Sequence, residues 1–266
     1  MNSSSLTFVL AAALASVPAS AGDVKFATLA PEGTDAMTAM NEIDKEVRAR
    51  TGGALKFKMY AGGKQGEDKD IVRKIRAGQL QAGGFTGVGL GEVSPLVRVL
   101  DAPWLFRDHA EVDHVYERFA PDFEKALGDA GYVLLGWTEV GFVLQWHEKT
   151  KFIHSSAVAN ASGAVLISKK AFDALPEAER KVLLEVSRKR LKELNEQIRK
   201  SNAAALEQLK KQGLTVTAAT PAALKAYEEA GRKARRSLAG RLYPAELLDR
   251  VEKSLEAYRA QKATAL

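Results

Sequence analysis

Three short β-rich runs, at residues 24–29, 55–60 and 81–86, are separated by two stretches of helical periodicity, and no other feature narrows the fold as much. The first helical stretch carries Ala36, Met40, Ile43 and Val47 on one stripe, opens after Thr34 as N-cap and stops at Gly52-Gly53. The second turns Ile71, Val72, Ile75 and Leu80 inward. It places Asp68 and Asp70 in its first turn, where the helix dipole favours negative charge. Strands separated by helices do not close as hairpins; this spacing predicts a parallel sheet with helices on its faces. The loops at the carboxyl ends of such strands form a ligand crevice.

Farther along come a short apolar run at 97–100, a helix over 109–127, a buried strand at 131–137 and another at 164–167, with Ser168 capping a helical turn. Pro176 suits the first turn of a helix that runs to Lys211 on a seam of Leu184, Leu191, Leu194, Ile198, Ala205 and Leu209, with Gly213 at its stop. At about 1.5 Å per residue it is on the order of 50 Å long, more than one lobe's width, and is expected to span two lobes. A short strand at 214–216 and a helical C-terminus from Pro221 to Tyr258 follow.

Residues 6–17 are apolar and precede Pro18 and the small-residue pattern Ala19-Ser20-Ala21, which predicts a signal peptide over 1–21, although the first five residues carry no Lys or Arg. The run is shorter than the about 20 residues a membrane span needs. The expectation is export to the periplasm as a soluble protein.

Several function classes drop out. The chain has no cysteine, so thiolate chemistry, disulfides and Cys-held zinc are excluded. Its four histidines, His109, His114, His147 and His154, make no i, i+4 pair, and no metal site is expected. The glycine clusters at 61–66 and 87–91 lack the Walker and dinucleotide spacings, so they read as tight turns near a small ligand. No nucleophile elbow or triad is present; neither an enzyme nor a cofactor is expected. The net charge of +6 is concentrated after Pro176, where 20 Lys and Arg face 12 Asp and Glu. Both signs interleave along helices there, as on a solvated face, and no nucleic-acid partner is expected.

Four segments together resemble the DctP-type solute-binding proteins of TRAP transporters. They are residues 26–34 (FATLAPEGT), the 60–67 loop with Ile75-Arg76-Ala77-Gly78 closing its helix, 100–108 (LDAPWLFRD) and 163–173 (GAVLISKKAFD) ahead of the long helix. The resemblance implies a two-lobed, α/β periplasmic-binding-protein-like fold that closes on a small organic acid, such as a dicarboxylate. It further implies delivery to an ion-gradient-driven TRAP membrane permease, and the binding protein is expected to be a monomer. Its relatives carry a long second-lobe segment after the strand near Trp137, including an arginine that pairs with the ligand carboxylate. Here Val143 runs straight into Leu144, and no arginine occurs between Arg118 and Arg180, so the second lobe is expected to be truncated.

The expected organisation is a first α/β lobe over 22–137, a hinge and second-lobe remnant over 138–175, the spanning helix over 176–213, and a strand and helices over 214–266. The resemblance assigns candidate ligand contacts to Glu32, Phe85, Thr86, Trp137, Glu139, Gln145 and Trp146, with Trp104 packing against the first lobe. Two other readings accompany it: an interaction or sensor protein of the same descent that has lost the ligand clamp, and, more remotely, an α/β hydrolase.

Overall fold

The computed structural model describes residues 23–139 and 151–264. The predicted alternation forms: β1 (Val24–Thr28), α1 (Asp35–Arg50), β2 (Phe57–Tyr60), α2 (Asp68–Arg76) and β3 (Ala82–Thr86). Thr34 caps α1 by accepting from the Met37 amide, and Met37, Met40, Ile43 and Val47 are its buried face. β4 (Tyr132–Glu139) and β6 (Ser162–Ser168) complete a five-stranded sheet in the order β2-β1-β3-β6-β4.

The sheet is mixed rather than parallel throughout. β1 runs parallel to both β2 and β3, but β6 is antiparallel to β3 and to β4. The crossover from β3 to β4 leaves one strand's width between them, and β6 fills that width from the opposite direction. Being central, β6 is buried on both faces, which its unbroken apolar run reflects. Its alternate residues feed two cores, Ala164 and Leu166 one, Val165 and Ile167 the other.

The first core lies under α2, α3 (Gly87–Val93), a 3-10 helix (Pro95–Asp101), α4 (His109–Arg118), α5 (Ala120–Asp129) and the last helix, α9 (Ala245–Thr264). Residues 87–91, read from sequence as a turn, are therefore helical. The glycines serve close packing instead, since a Cβ at Gly89 would lie 2.7 Å from both Asp68 and the Phe85 ring. The run at 97–100 belongs to the 3-10 helix. The helix expected over 109–127 divides after Arg118, because Pro121 lacks an amide hydrogen and its ring crowds the preceding turn.

The second core lies under α1, α6 (Lys169–Asp173) and α7 (Glu177–Lys211). α7 is the predicted long helix, and Gly213 follows its end at φ +96°. Its buried seam is Leu183, Val186, Leu191, Leu194, Ile198 and Leu209, with Leu184 turned to the flank. Gly136 lets α7 close on β4, as a Cβ there would lie 2.7 Å from Leu191. Two bidentate or near-bidentate pairs fasten α7 to α1: Arg190 to Glu46 (2.7 and 2.9 Å) and Arg50 to Glu185 (2.8 and 3.0 Å).

A second sheet holds, among the described residues, only β5 (Phe152–His154) and β7 (Thr215–Thr217), paired in parallel. The stretch 138–175 thus contributes one strand to each sheet. α8 (Pro221–Leu238) leads from β7 to α9, which packs in the first core. Trp104, at φ 52°, stacks on Tyr227 of α8 and fits against Gly231; its amide donates to the Val158 carbonyl at 2.7 Å. A Leu191→Ala substitution is expected to lower stability by about 3 kcal/mol in urea unfolding, through lost contact and the cavity left on Gly136.

Candidate functional site

In this sheet the helices that follow β1 and β3, α1 and α3, lie on opposite faces, so the loops after these strands splay apart at the shared carboxyl edge. A cavity of about 690 Å³ opens there. Its floor is the sheet edge, with Thr28, Thr86, Thr138 and Glu139 at the ends of β1, β3 and β4. One wall is the loop after β1 and the first turns of α1, including Met37 and Met40; the other is α7. On α7 the apolar seam Leu191, Leu194, Ile198 gives way on the same side to Ser201, Asn202 and Ala205. The stripe turns polar where the helix leaves the core and faces the cavity.

Most polar groups at the edge already have partners. The Thr86 hydroxyl donates to Asp68 Oδ2 at 2.6 Å, and the same oxygen accepts from the Thr86 and Gly89 amides at 3.3 and 3.1 Å. Asp68 is buried, and burial pushes its carboxyl above the ordinary range, opposed by the hydrogen bonds from Thr86 and Gly89. The Thr34 hydroxyl donates to the Pro31 carbonyl at 2.8 Å. The Thr28 hydroxyl accepts from the Ala30 amide at 3.2 Å.

Glu139 is the centre of an ion network. Arg199 of α7 donates through Nε to Glu139 Oε1 at 2.8 Å and through a terminal nitrogen to the same oxygen, and grips Asp113 of α4 at 2.7 and 2.8 Å. Hydrogen bonding to Asp113 first, and then to Glu139 against the cost of burial, raises the guanidinium further above its ordinary range. The His109 imidazole lies 3.6 Å from the other Glu139 oxygen. Beside them, Asn195 accepts from the Glu139 amide at 2.8 Å and donates to the Trp137 carbonyl at 3.2 Å.

The residues expected from sequence divide accordingly. Thr86 and Glu139 line the cavity, and Phe85 reaches it from beneath, its ring held in the first core beside Gly83 and Gly89. Trp137 does not line the cavity: it stands on the first-core face of β4, stacked on Tyr116 at 4.8 Å and edge-on to Phe123. Glu32 is exposed, 3.7 Å from Lys64, although Pro31 and Gly33 on either side line the cavity. Gln145, Trp146 and the junction at Val143 lie outside the described residues, as does the expected signal peptide. Arg199, Asn195 and Asn202 were not anticipated from the sequence. A signal was available for Asn202, which continues the Leu191–Leu194–Ile198 stripe of α7, but nothing local marks Arg199.

The sequence profile of bacterial extracellular solute-binding protein family 7, DctP, matches residues 26–157 and 144–240. A solute-binding protein of Chromohalobacter salexigens is 25% identical over 100 residues, 37% of this chain and 30% of that protein. One of Verminephrobacter eiseniae is 27% identical over 105 residues, 39% of this chain and 31% of that protein. The matched stretch therefore spans about a third of either relative's length. Among solved structures, a TRAP periplasmic solute-binding protein from Ochrobactrum anthropi superposes with TM-score 0.81 at 20% identity, over 91% of this chain and 97% of that one. Another from Desulfovibrio salexigens, with bound orotic acid, gives 0.79 at 16%, over 88% and 99%. The sugar acid binding protein of Advenella mimigardefordensis, in complex with galactonate, gives 0.80 at 15%, over 89% and 98%. These likenesses establish the fold.

Two substitutions probe the edge. Arg199→Met strands Glu139 without its cation in a site where Glu139 is 8% exposed, and is expected to cost about 3 kcal/mol in urea unfolding; adding Glu139→Gln should return much of it. Asp68 has a folded pKa above its unfolded one, so its contribution favours the fold at low pH and is lost as pH rises through the raised value. Asp68→Asn should therefore flatten part of the fall in stability between acidic and neutral pH, read from denaturation midpoints across that range.

Proposed function

Because the chain belongs to family 7 of the bacterial extracellular solute-binding proteins, DctP, we propose that it is the periplasmic binding subunit of a TRAP-type transporter, capturing a small organic acid and passing it to ion-gradient-driven membrane permease subunits. The observation that carries this reading is the cavity itself. It sits at the point where the chain's crossovers diverge, its about 690 Å³ falls within the range of small-molecule sites, and its walls come from the sheet edge, α1 and the long helix. The relatives of the same fold that hold orotic acid and galactonate support an acid as the class of ligand. The role is binding and not catalysis: the polar groups at the edge are tied into the fold by hydrogen bonds, as Thr86 is to Asp68 and Glu139 to Arg199.

Residues 1–21 act in this reading as the export signal, and the mature protein works as a monomer. No described helix is long and apolar enough to cross a membrane. Thr86 and Glu139 are the members of the sequence set that line the cavity, Thr86 tied to Asp68 and Glu139 holding Arg199 in place. The second lobe is short, and the ligand rests mainly on the large-sheet side.

Thermal unfolding across a panel of organic acids tests the proposal. A ligand at 100 times its Kd adds about 2.7 kcal/mol to stability and raises the midpoint by several degrees. Absence of a shift with every acid, together with capture of the protein by the membrane subunits regardless of added acid, would sink it.

A further inference from the structure

The chemistry of the cavity wall narrows the ligand beyond "organic acid". Among the described residues that line it, the charged side chains are Asp35 and Glu139, both acidic, and none is Lys, Arg or His. Glu139 is neutralised by Arg199, whose donors are divided between Glu139 and Asp113. The hydroxyl protons of Thr34 and Thr86 are committed to Pro31 and Asp68. Much of the rest of the lining is apolar, including Met37 and Met40 from α1, and Leu191, Leu194 and Ile198 from α7. The remaining polar side chains are Thr28 and Thr138 on the sheet edge and Ser201 and Asn202 on the helix.

We infer that the acid taken by this cavity carries an apolar body, aromatic or branched aliphatic, and not a chain of hydroxyls. The inference rests on the solute-binding reading above. A polyol body would exchange its hydrogen bonds to water for contact with thioether and aliphatic carbons, and each hydroxyl left without a partner weakens binding. An apolar body gains from the same walls, and each methylene removed from water tightens binding about fourfold. The two methionines favour such a body in a second way. Their flexible thioethers adjust to rings and branches of different shape and make good contacts with ring edges. The volume leaves room for a ring plus a short linker to the carboxylate.

The test is calorimetric titration of the purified mature protein with phenylacetate, 3-phenylpropionate and 4-methyl-2-oxopentanoate, against galactonate, glucuronate and the neutral phenylacetamide. The expected result is that the apolar acids bind at least about tenfold tighter than the sugar acids, with 3-phenylpropionate about fourfold tighter than phenylacetate. Ala205→Leu, at the half-buried rim of α7, keeps a strong helix former and projects into the cavity. It should weaken the phenyl acids about tenfold while circular dichroism shows an unchanged fold. Tighter binding of galactonate or glucuronate overturns this inference and leaves the solute-binding proposal standing. Phenyl acids that bind equally well to Ala205→Leu also overturn it, since their bodies then lie elsewhere. Binding of neither class of acid overturns the solute-binding proposal itself, and phenylacetamide binding as tightly as phenylacetate overturns the assignment of an acid as ligand.

Discussion

The fold depends on how the open edge of β4 is satisfied. An edge strand presents amides and carbonyls that need partners, and the end of β4 is where the sheet borders the cavity. Asn195 supplies one acceptor and one donor from a side chain, standing where a peptide unit of a neighbouring strand would stand. One turn farther on, Arg199 secures the carboxylate of the last β4 residue and ties it to α4. These contacts fix α7 over the sheet edge, and α7 in turn supplies a wall of the cavity. Gly136 completes the arrangement by letting the helix approach closely enough for Asn195 to reach.

The charge of the C-terminal half has a structural use. Arg190 and Arg50 join α7 to α1, Arg235 pairs with Glu252 between α8 and α9, and Arg259 grips the buried Glu111 of α4 at 2.6 and 2.7 Å. An excess that could be mistaken for a polyanion-binding face is largely a set of ties between elements far apart in sequence. Partly buried pairs of this kind constrain which helices meet more than they add to net stability.

Much of the fold was legible because local signals and tertiary packing agree. Thr34, the 37–47 stripe, the unbroken α7 and the fully apolar β6 each require one kind of environment, and each has it. Where the sequence misled, the deciding fact was a distant partner. Gly87, Gly89 and Gly91 suggest a tight turn until Asp68, Asp101, Arg98 and Phe85 are seen crowding them. Trp137 and Glu139 share one face of β4, yet Trp137 stacks on Tyr116 in the first core while Arg199 holds Glu139 at the cavity edge. In the site, Thr86 could be found because it ends a strand; Arg199 could not, because its relation to Glu139 spans 60 residues and a helix face.

The antiparallel position of β6 has a consequence for the order of events in folding. β3 and β4 are neighbours in sequence among the strands of the large sheet but do not touch; residues 162–168 must arrive before either inner edge is closed. A chain emerging N-terminus first therefore holds two unpaired strand edges until late in its passage. Pairings this distant in sequence are slow to form, and edges exposed in the interval are sites of wrong association. The strand that makes the sheet continuous is also the one whose late arrival sets its assembly time.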